Sequence, residues 1–217
     1  MIYGSYQDIL LGLYTSHTPR QAHTVHAVRA SAQLLPLVDQ LLDQQKCSLA
    51  DLDFIALDQG PGAFTSLRVV VTTVNGVSFA KNIPLVGCDG LEALVTQMAA
   101  QASAAQNKPE LICALLNAYN HEAYYHLRQL NGQGEYEQAG EVGYAHIDDV
   151  AEKIKAVGAG SVWCAGNGAS VHREALVKQL GGAAHIDQVL HHANLDTFAK
   201  QALERWQAQK EPVYNLQ

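Results

Sequence analysis

The sequence from Leu52 to Ala80 contains a short apolar run, a glycine–proline turn and a longer apolar run. Residues Leu52–Leu57 predict a strand that enters a buried sheet. Gly60-Pro61-Gly62 predicts a tight turn, because proline fixes φ and each glycine tolerates positive φ. Apolar residues recur at helical spacing over Leu67–Ala80, and Thr65 is placed to cap that helix through its hydroxyl. A strand, a tight turn and a helix in immediate succession are typical of an α/β fold.

The turn has two interpretations. A strand end, a glycine turn and a helix N-terminus present several backbone N–H groups at one point, which suits an anion or a phosphate. Alternatively, the glycines only let the chain turn tightly, and the pattern alone favours this second interpretation. Arg68 could reach a phosphate, or it could pair with Asp58 or Asp53 and hold the turn closed. We favour the pairing, since a cation near a helix N-terminus is otherwise mildly unfavourable.

Length, charge and hydropathy restrict the class of protein. The 217 residues are enough for one domain or for two small lobes. The net charge of −7 comes from 21 acidic and 14 basic residues without a basic cluster, which disfavours tight, direct nucleic-acid binding. No apolar run approaches the roughly 20 residues of a membrane span, and the first residues lack the basic region of a signal peptide. We therefore expect a cytoplasmic protein with no membrane association.

The two halves of the chain show the same order of predicted elements, with antiparallel strands first and then helices alternating with single strands. The small residues of Ala99–Asn107, followed by Lys108-Pro109, mark the best boundary between the halves. The sequence thus predicts an N-terminal lobe over 1–107 and a C-terminal lobe over 108–217, with a last helix over 195–209 in the second lobe. Each lobe is expected to be a mixed sheet flanked by helices, in a duplicated α/β protein.

Two helices of the first lobe, 31–45 and 67–80, carry more apolar residues than one sheet face requires. A helix that is apolar nearly all round is buried on both sides. The second surface that covers it is either another part of the same chain or another protein, and composition does not distinguish the two.

The stretch Gly60–Arg68, which has the sequence Gly-Pro-Gly-Ala-Phe-Thr-Ser-Leu-Arg, resembles the Gly-Pro-Gly-Ser-Phe-Thr-Gly-Leu-Arg signature of the TsaB (YeaZ) family. The similarity continues through Val74–Ala80 and is specific from about Leu52 to Leu94. Tyr3 stands where the family has an aspartate of its first strand, and Ser66 replaces a motif glycine. Asn117-Ala-Tyr replaces an Asp-Ala-Arg of the second lobe. Each difference weakens the case for nucleotide binding more than the case for the fold.

This resemblance implies a two-lobed, duplicated fold of the actin/hexokinase/Hsp70 (ribonuclease H-like) type. It also implies a non-catalytic subunit of the machinery that forms threonylcarbamoyladenosine in tRNA. Such a subunit binds a TsaD-like transferase, works with a TsaE-like ATPase, can form a homodimer through the same helices, and contacts tRNA only indirectly. The residues expected to bind the partner are Leu34, Leu37, Val38 and Leu41 in the first helix, and Val70, Val71, Val74, Val77 and Ser78 in the second.

No cofactor of its own is expected, and weak ATP or ADP binding at the lobe cleft or at the partner interface is the alternative. The residues that would contact a phosphate are those of the motif turn, Gly60, Pro61, Gly62, Ala63, Phe64, Thr65 and Arg68.

Two other functions remain open from the residues. One is a nucleotide-binding ATPase or kinase of the same fold, with Gly60–Thr65 on a phosphate. The other is a metalloprotease, which is disfavoured because the ten histidines include no His-x-x-x-His pair. The candidate nucleophiles Thr65, Ser66 and Cys88 have no evident base, so no catalytic residue and no metal site are predicted.

Overall fold

The computed structural model describes residues 1–4, 8–15, 18–26 and 29–216. It contains two compact units, which we call unit 1 (Met1–Gly90 with Asn194–Gln217) and unit 2 (Leu91–Ala193). Each unit has one mixed β-sheet with helices packed against it. Among the described residues, no helix combines the length and the apolar character needed to cross a membrane.

The elements follow one another along the chain as strands and helices in alternating groups. The strands are β1 (Ile2–Gly4), β2 (Asp8–Thr15), β3 (Thr18–His26), β4 (Ile55–Asp58), β5 (Leu85–Cys88), β6 (Leu111–Asn117), β7 (Glu122–Leu130), β8 (Tyr136–Gln138), β9 (Gly143–His146), β10 (Val162–Ala165) and β11 (Ala184–Ile186). The α-helices are α1 (Ala30–Gln44), α2 (Phe64–Lys81), α3 (Gly90–Ala104), α4 (Ile147–Val157), α5 (Asn167–Val171), α6 (Arg173–Leu180) and α7 (Leu195–Ala208).

The two sheets have the same strand order. In unit 1 the order is β3-β2-β1-β4-β5, where β1, β2 and β3 are antiparallel neighbours and β4 and β5 run parallel to β1. In unit 2 the order is β8-β7-β6-β10-β11 with the same strand directions, and β9 also pairs with β7. This repetition confirms the predicted duplicated α/β architecture.

The core of unit 1 lies on both faces of its sheet. Along β1 successive side chains alternate between faces, as in any strand. Ile2 packs in an apolar cluster with Val70 and Val74 of α2, so α1 and α2 cover that face. Tyr3 points the other way, and its ring centroid lies 4.7 Å from that of Phe198 on α7. Helices therefore cover both faces of the sheet.

The structure divides the chain differently from the predicted boundary at residue 107, because unit 1 takes up the end of the chain. The last helix, predicted for the second lobe, belongs to unit 1. Besides Phe198, Trp206 stacks on Phe54 at 4.9 Å between ring centroids, and the Arg205 guanidinium donates to the Gly87 carbonyl at 2.8 Å. Such contacts join residues far apart in sequence, and a pattern of local periodicity contains no information on them.

The two apolar helices are present with small changes in their ends. Helix 31–45 is α1, and helix 67–80 is α2, which begins three residues earlier than predicted. Ala63 has the extended backbone of an N-cap residue, with φ −64° and ψ 119°. Thr65 therefore lies within the first turn of α2 and is not its cap, which corrects the prediction.

Candidate functional site

The motif turn joins the end of β4 to the start of α2 and is tied to the interior of unit 1. The Gly60 N–H donates to Asp58 Oδ1 at 2.8 Å, and the Gly60 carbonyl accepts from the Gly90 N–H at 3.1 Å. Gly60 has φ +103°, a conformation that residues with a side chain rarely adopt. The peptide bond between Gly60 and Pro61 is cis. The glycine at this position is thus required by the geometry of the turn.

The carboxyl group of Asp58 lies directly beneath this turn and is 1% exposed. Burial raises the pKa of Asp58 from 3.8 to about 8, although hydrogen bonds from the Gly60 and Gly90 N–H groups oppose the shift. At pH 7 the carboxyl is therefore mostly protonated. The Gly60 N–H donates to Asp58 and is therefore not available to a phosphate at this turn.

Arg68 and Phe64 interact with each other on the surface at the start of α2. The guanidinium carbon of Arg68 lies over the Phe64 ring, 5.1 Å from its centroid, a typical cation–π geometry. Within the described residues, no ion pair joins Arg68 to Asp53 or Asp58. The favoured pairing of Arg68 with one of these carboxylates was therefore wrong.

Five of the nine predicted partner-binding residues are core residues of unit 1. Their exposed fraction is at most 5%, which leaves no surface for a partner, and they are Leu34, Leu41, Val70, Val74 and Ser78. The other four are half-buried and pack against the same apolar cluster, and they are Leu37, Val38, Val71 and Val77. The surface that covers these five buried residues on their second side is therefore another part of the same chain.

The Ser78 hydroxyl shows how this covering is achieved. It lies 2.7 Å from the Ile83 carbonyl and 3.0 Å from the Tyr214 carbonyl. Nearby, the Asn75 side chain donates to the Leu216 carbonyl at 2.7 Å and accepts from the Leu216 N–H at 3.0 Å. The end of the chain is thus held along one flank of α2.

A different face of α2 is open to solvent. We define the α2 face as five exposed residues that follow one another at intervals of three or four positions, namely Phe64, Arg68, Thr72, Gly76 and Phe79. Phe64 is 71% exposed and Phe79 is 91% exposed. On the neighbouring helix α1, Leu35 is 49% exposed. The predicted site residues include Phe64 only as part of the motif turn, and the predicted partner-binding residues do not include Phe79, Gly76 or Leu35.

In unit 2 the turn after β6, which contains Asn117-Ala-Tyr, and the turn that leads into α5 are hydrogen-bonded to each other. The Asn117 N–H donates to Asn167 Oδ1 at 3.0 Å, and Asn117 Oδ1 lies 3.2 Å from His172 Nε2. Gly168 packs so closely on β6 that a Cβ would lie 2.9 Å from the Leu115 and Leu116 carbonyl carbons. The polar groups of these turns are engaged inside unit 2.

Histidines gather beside these turns, with the ring centroid of His121 at 6.2 Å from that of His146 and 6.4 Å from that of His172. Burial lowers the pKa of His172, and the charges of His121 and His146 lower it further, while a hydrogen bond to the Glu122 backbone opposes them. In the described ranges, no group of three or more His, Cys, Asp or Glu side chains is arranged to hold a metal ion.

The chain is similar in sequence to proteins of one tRNA-modification pathway. A family model described as TsaD, tRNA N6-adenosine threonylcarbamoyltransferase, matches residues 17–161. A tRNA threonylcarbamoyladenosine biosynthesis protein TsaB of Haemophilus influenzae is 28% identical over 110 residues, which are 51% of this chain and 43% of that protein. A tRNA N6-adenosine threonylcarbamoyltransferase of Chromobacterium violaceum is 34% identical over 140 residues, which are 64% of this chain and 36% of that protein. The aligned part of the chain thus spans less than half the length of either relative.

The similarity to a solved structure is more complete. YeaZ from Pseudomonas aeruginosa is 27% identical, has a TM-score of 0.70, and is matched over 98% of this chain and 92% of that one. The fold that the resemblance implied is therefore confirmed. The family model covers more than half of the chain, and the YeaZ structure covers nearly all of it. The chain belongs to the TsaD family, and it is similar to the TsaB (YeaZ) proteins.

Proposed function

We propose that this protein is a non-catalytic subunit of the machinery that makes threonylcarbamoyladenosine in tRNA, and that it binds a TsaD-type transferase through the α2 face. The single observation that carries this proposal is the exposure of Phe64 and Phe79 on a helix that the family signature begins. The names of the relatives indicate the pathway. The exposed side of α2 indicates the surface that binds the transferase.

The aromatic residues of the α2 face are suited to anchor a partner. Burying an apolar side chain of this size contributes about 1.5–3 kcal/mol. Phe64 and Phe79 are 15 positions apart in sequence, which corresponds to about 22 Å along a helix. Their burial, together with that of Leu35 on α1, would supply the few apolar anchors on which protein interfaces depend.

Gly76 supports the docking of another helix against this face. A Cβ built on Gly76 meets nothing within 4 Å, so packing inside this chain does not require a glycine there. Glycine in a helix interior costs about 1 kcal/mol relative to alanine. A glycine is needed at this position if the backbone of a partner helix approaches it closely.

The charge of the protein supports an indirect role with respect to tRNA. With a net charge of −7, the chain offers little attraction to a polyanion. In this proposal the transferase and the TsaE-like ATPase supply the positive surface, in the cytoplasm. The donation of the Gly60 N–H to Asp58 supports the expectation that the motif turn binds no phosphate, so that no cofactor belongs to this subunit.

The test is the affinity of the purified chain for a TsaD-type transferase, measured by calorimetry. We expect Phe79→Glu to weaken binding by at least roughly 30-fold, since this corresponds to about 2 kcal/mol. Val189→Glu is the matched control, because Val189 is 87% exposed and lies in unit 2. Equal affinities of the two variants would contradict the assignment of the α2 face.

Self-association and nucleotide binding are examined with the same samples. If the free protein dimerises through the α2 face, Phe79→Glu converts the dimer to a monomer in light scattering and Val189→Glu does not. Titration with ATP and Mg²⁺ tests the alternative function. Micromolar binding with turnover by the isolated chain would contradict the non-catalytic role.

A further inference from the structure

The exposed side of α2 carries positive charge in a protein that is acidic as a whole. No aspartate or glutamate occurs between Asp58 and Asp89, although the chain contains 21 acidic and 14 basic residues. Arg68 on the α2 face and Lys81 at the end of α2 are both exposed. In the described part of the chain, no ion pair joins either of them to a carboxylate. The surface proposed to bind the transferase is therefore basic, and the chain itself does not neutralise it.

The guanidinium group of Arg68 is positioned without the use of its hydrogen-bond donors. Its contact with the Phe64 ring, at 5.1 Å from the centroid, involves the charge of the group and none of its five N–H bonds. Two other arginines donate to oxygen atoms, Arg128 to the Glu92 carboxylate and Arg205 to the Gly87 carbonyl. Among the described residues, Arg68 has no such acceptor. Its donors are thus directed at a group outside this chain.

A partner that covers Phe64 also removes water from Arg68, because the guanidinium lies against the Phe64 ring. A charge that is buried without a counter-charge is strongly unfavourable. The partner surface must therefore supply a negatively charged acceptor at this point. A carboxylate fits best, since its two oxygens match the planar fork of donors on a guanidinium group.

We propose that the TsaD-type transferase places an aspartate or a glutamate against Arg68, and that this ion pair determines which proteins the α2 face accepts. The inference rests on the function proposed above and adds the chemistry of the partner surface. A neutral or basic surface of the same shape leaves the guanidinium desolvated and unpaired, so it is rejected. Helix α2 of a second copy has no carboxylate to offer. The phosphates of an RNA do not match the exposed aromatic rings of Phe64 and Phe79.

The experiment measures the affinity of the chain for the transferase with Arg68→Lys, Arg68→Gln and Arg68→Glu. We expect binding to weaken about 30-fold with glutamine and at least about 100-fold with glutamate, because the partner carboxylate then lacks its cation. Lysine keeps the charge without the planar fork, so we expect a smaller loss of about three- to tenfold. Arg173→Gln is the matched control, because Arg173 is exposed on α6 of unit 2. Since both arginines are exposed, every variant should keep the Tm of the wild type within about 2 °C.

A carbodiimide cross-link identifies the partner group in the complex formed with Arg68→Lys. This reagent joins an amine to a carboxylate only where the two groups are in contact. We expect mass spectrometry to find position 68 joined to an aspartate or a glutamate of the transferase. A nucleic-acid phosphate and a neutral side chain would not give this product.

Equal affinities of Arg68→Gln and Arg173→Gln for the transferase would overturn the inference. If Phe79→Glu still weakens binding in that case, the α2 face binds the transferase without an ion pair at Arg68, and the proposed function stands. If Phe79→Glu has no effect either, the proposed function fails as well. A cross-link from position 68 to a second copy of this chain would also overturn the inference. A loss of affinity for tRNA alone would do the same, since it would assign Arg68 to a phosphate.

Discussion

The carboxyl group of Asp58 accepts a hydrogen bond from the Gly60 N–H, with 2.8 Å between Oδ1 and the nitrogen, in the interior of unit 1. A carboxyl at the end of β4 thus holds the first glycine of the signature in its positive-φ conformation. Contacts within the chain thus stabilise the turn, and they fix the direction in which α2 begins.

The protonation of Asp58 should make the stability of unit 1 depend on pH. Its pKa is about 8 in the folded state and 3.8 in the unfolded chain, so the contribution is complete below about pH 4 and is lost as the pH rises towards 8. We expect the free energy of unfolding to fall by up to about 1.4 kcal/mol per pH unit within this window.

The measurement is urea unfolding followed by circular dichroism at pH 5, 6, 7 and 8, for the wild type and for Asp58→Asn. The amide does not titrate, so the difference between the two proteins should shrink or reverse with rising pH, while other groups cancel. A difference that is constant across this range would mean that Asp58 ionises at its ordinary pKa.

Glutamate substitutions on α2 should differ strongly in their effect on stability at two positions that are five residues apart. Val74 is 1% exposed, so Val74→Glu buries a carboxyl without a partner and should cost at least about 3 kcal/mol of stability. Phe79 is 91% exposed, so Phe79→Glu should change stability by no more than about 0.5 kcal/mol. Thermal unfolding of both variants checks this, and comparable losses would show that α2 is not oriented as described.

Substitutions of Gly76 should affect the stability of the free protein and its binding to the transferase in different ways. Because a Cβ at this position meets nothing within 4 Å, Gly76→Ala should stabilise the free protein by about 0.5–1 kcal/mol. In contrast, Gly76→Arg should leave the fold intact and weaken binding to the transferase, since a long side chain blocks close approach. Denaturant unfolding and calorimetry are measured on the same preparations. Tight binding by the arginine variant would show that no helix packs at Gly76.

Asn75 should be important for holding the end of the chain. It makes two hydrogen bonds with the backbone of Leu216, one as donor and one as acceptor. Asn75→Ala should cost about 1–2 kcal/mol and should increase hydrogen exchange at Leu85, whose N–H donates to Val213 at 2.6 Å. Thr72→Ala on the exposed face is the control, and an equal effect of the two changes would deny this role of Asn75.

The sequence was sufficient to predict the features that depend on local pattern. The strand, the turn and α2 follow from apolar spacing and from the turn residues around Gly60 and Pro61, and the order of elements predicted the duplication. Packing between residues far apart in sequence could not be predicted from local pattern. The placement of α7 depends on Phe198 against Tyr3 and on Trp206 against Phe54, and these pairs leave no local signal.

The face of α2 that is exposed could not be predicted for a related reason. α2 is rich in valine on nearly every side, so its periodicity does not identify the side towards the sheet. The burial of Ser78 depends on carbonyl groups of Ile83 and of the distant Tyr214. A serine with such hydrogen-bond partners can lie in the core although its side chain is polar. Those partners are brought together only when the chain folds.

The contact between Leu85 and Val213 has a consequence for handling the protein. β5 is an outer strand of its sheet, and Val213 forms an antiparallel bridge to it. Uncovered outer strands are templates on which further chains can add and grow into aggregates. The last residues therefore cover part of β5, and we expect their removal by a protease to promote aggregation of the protein.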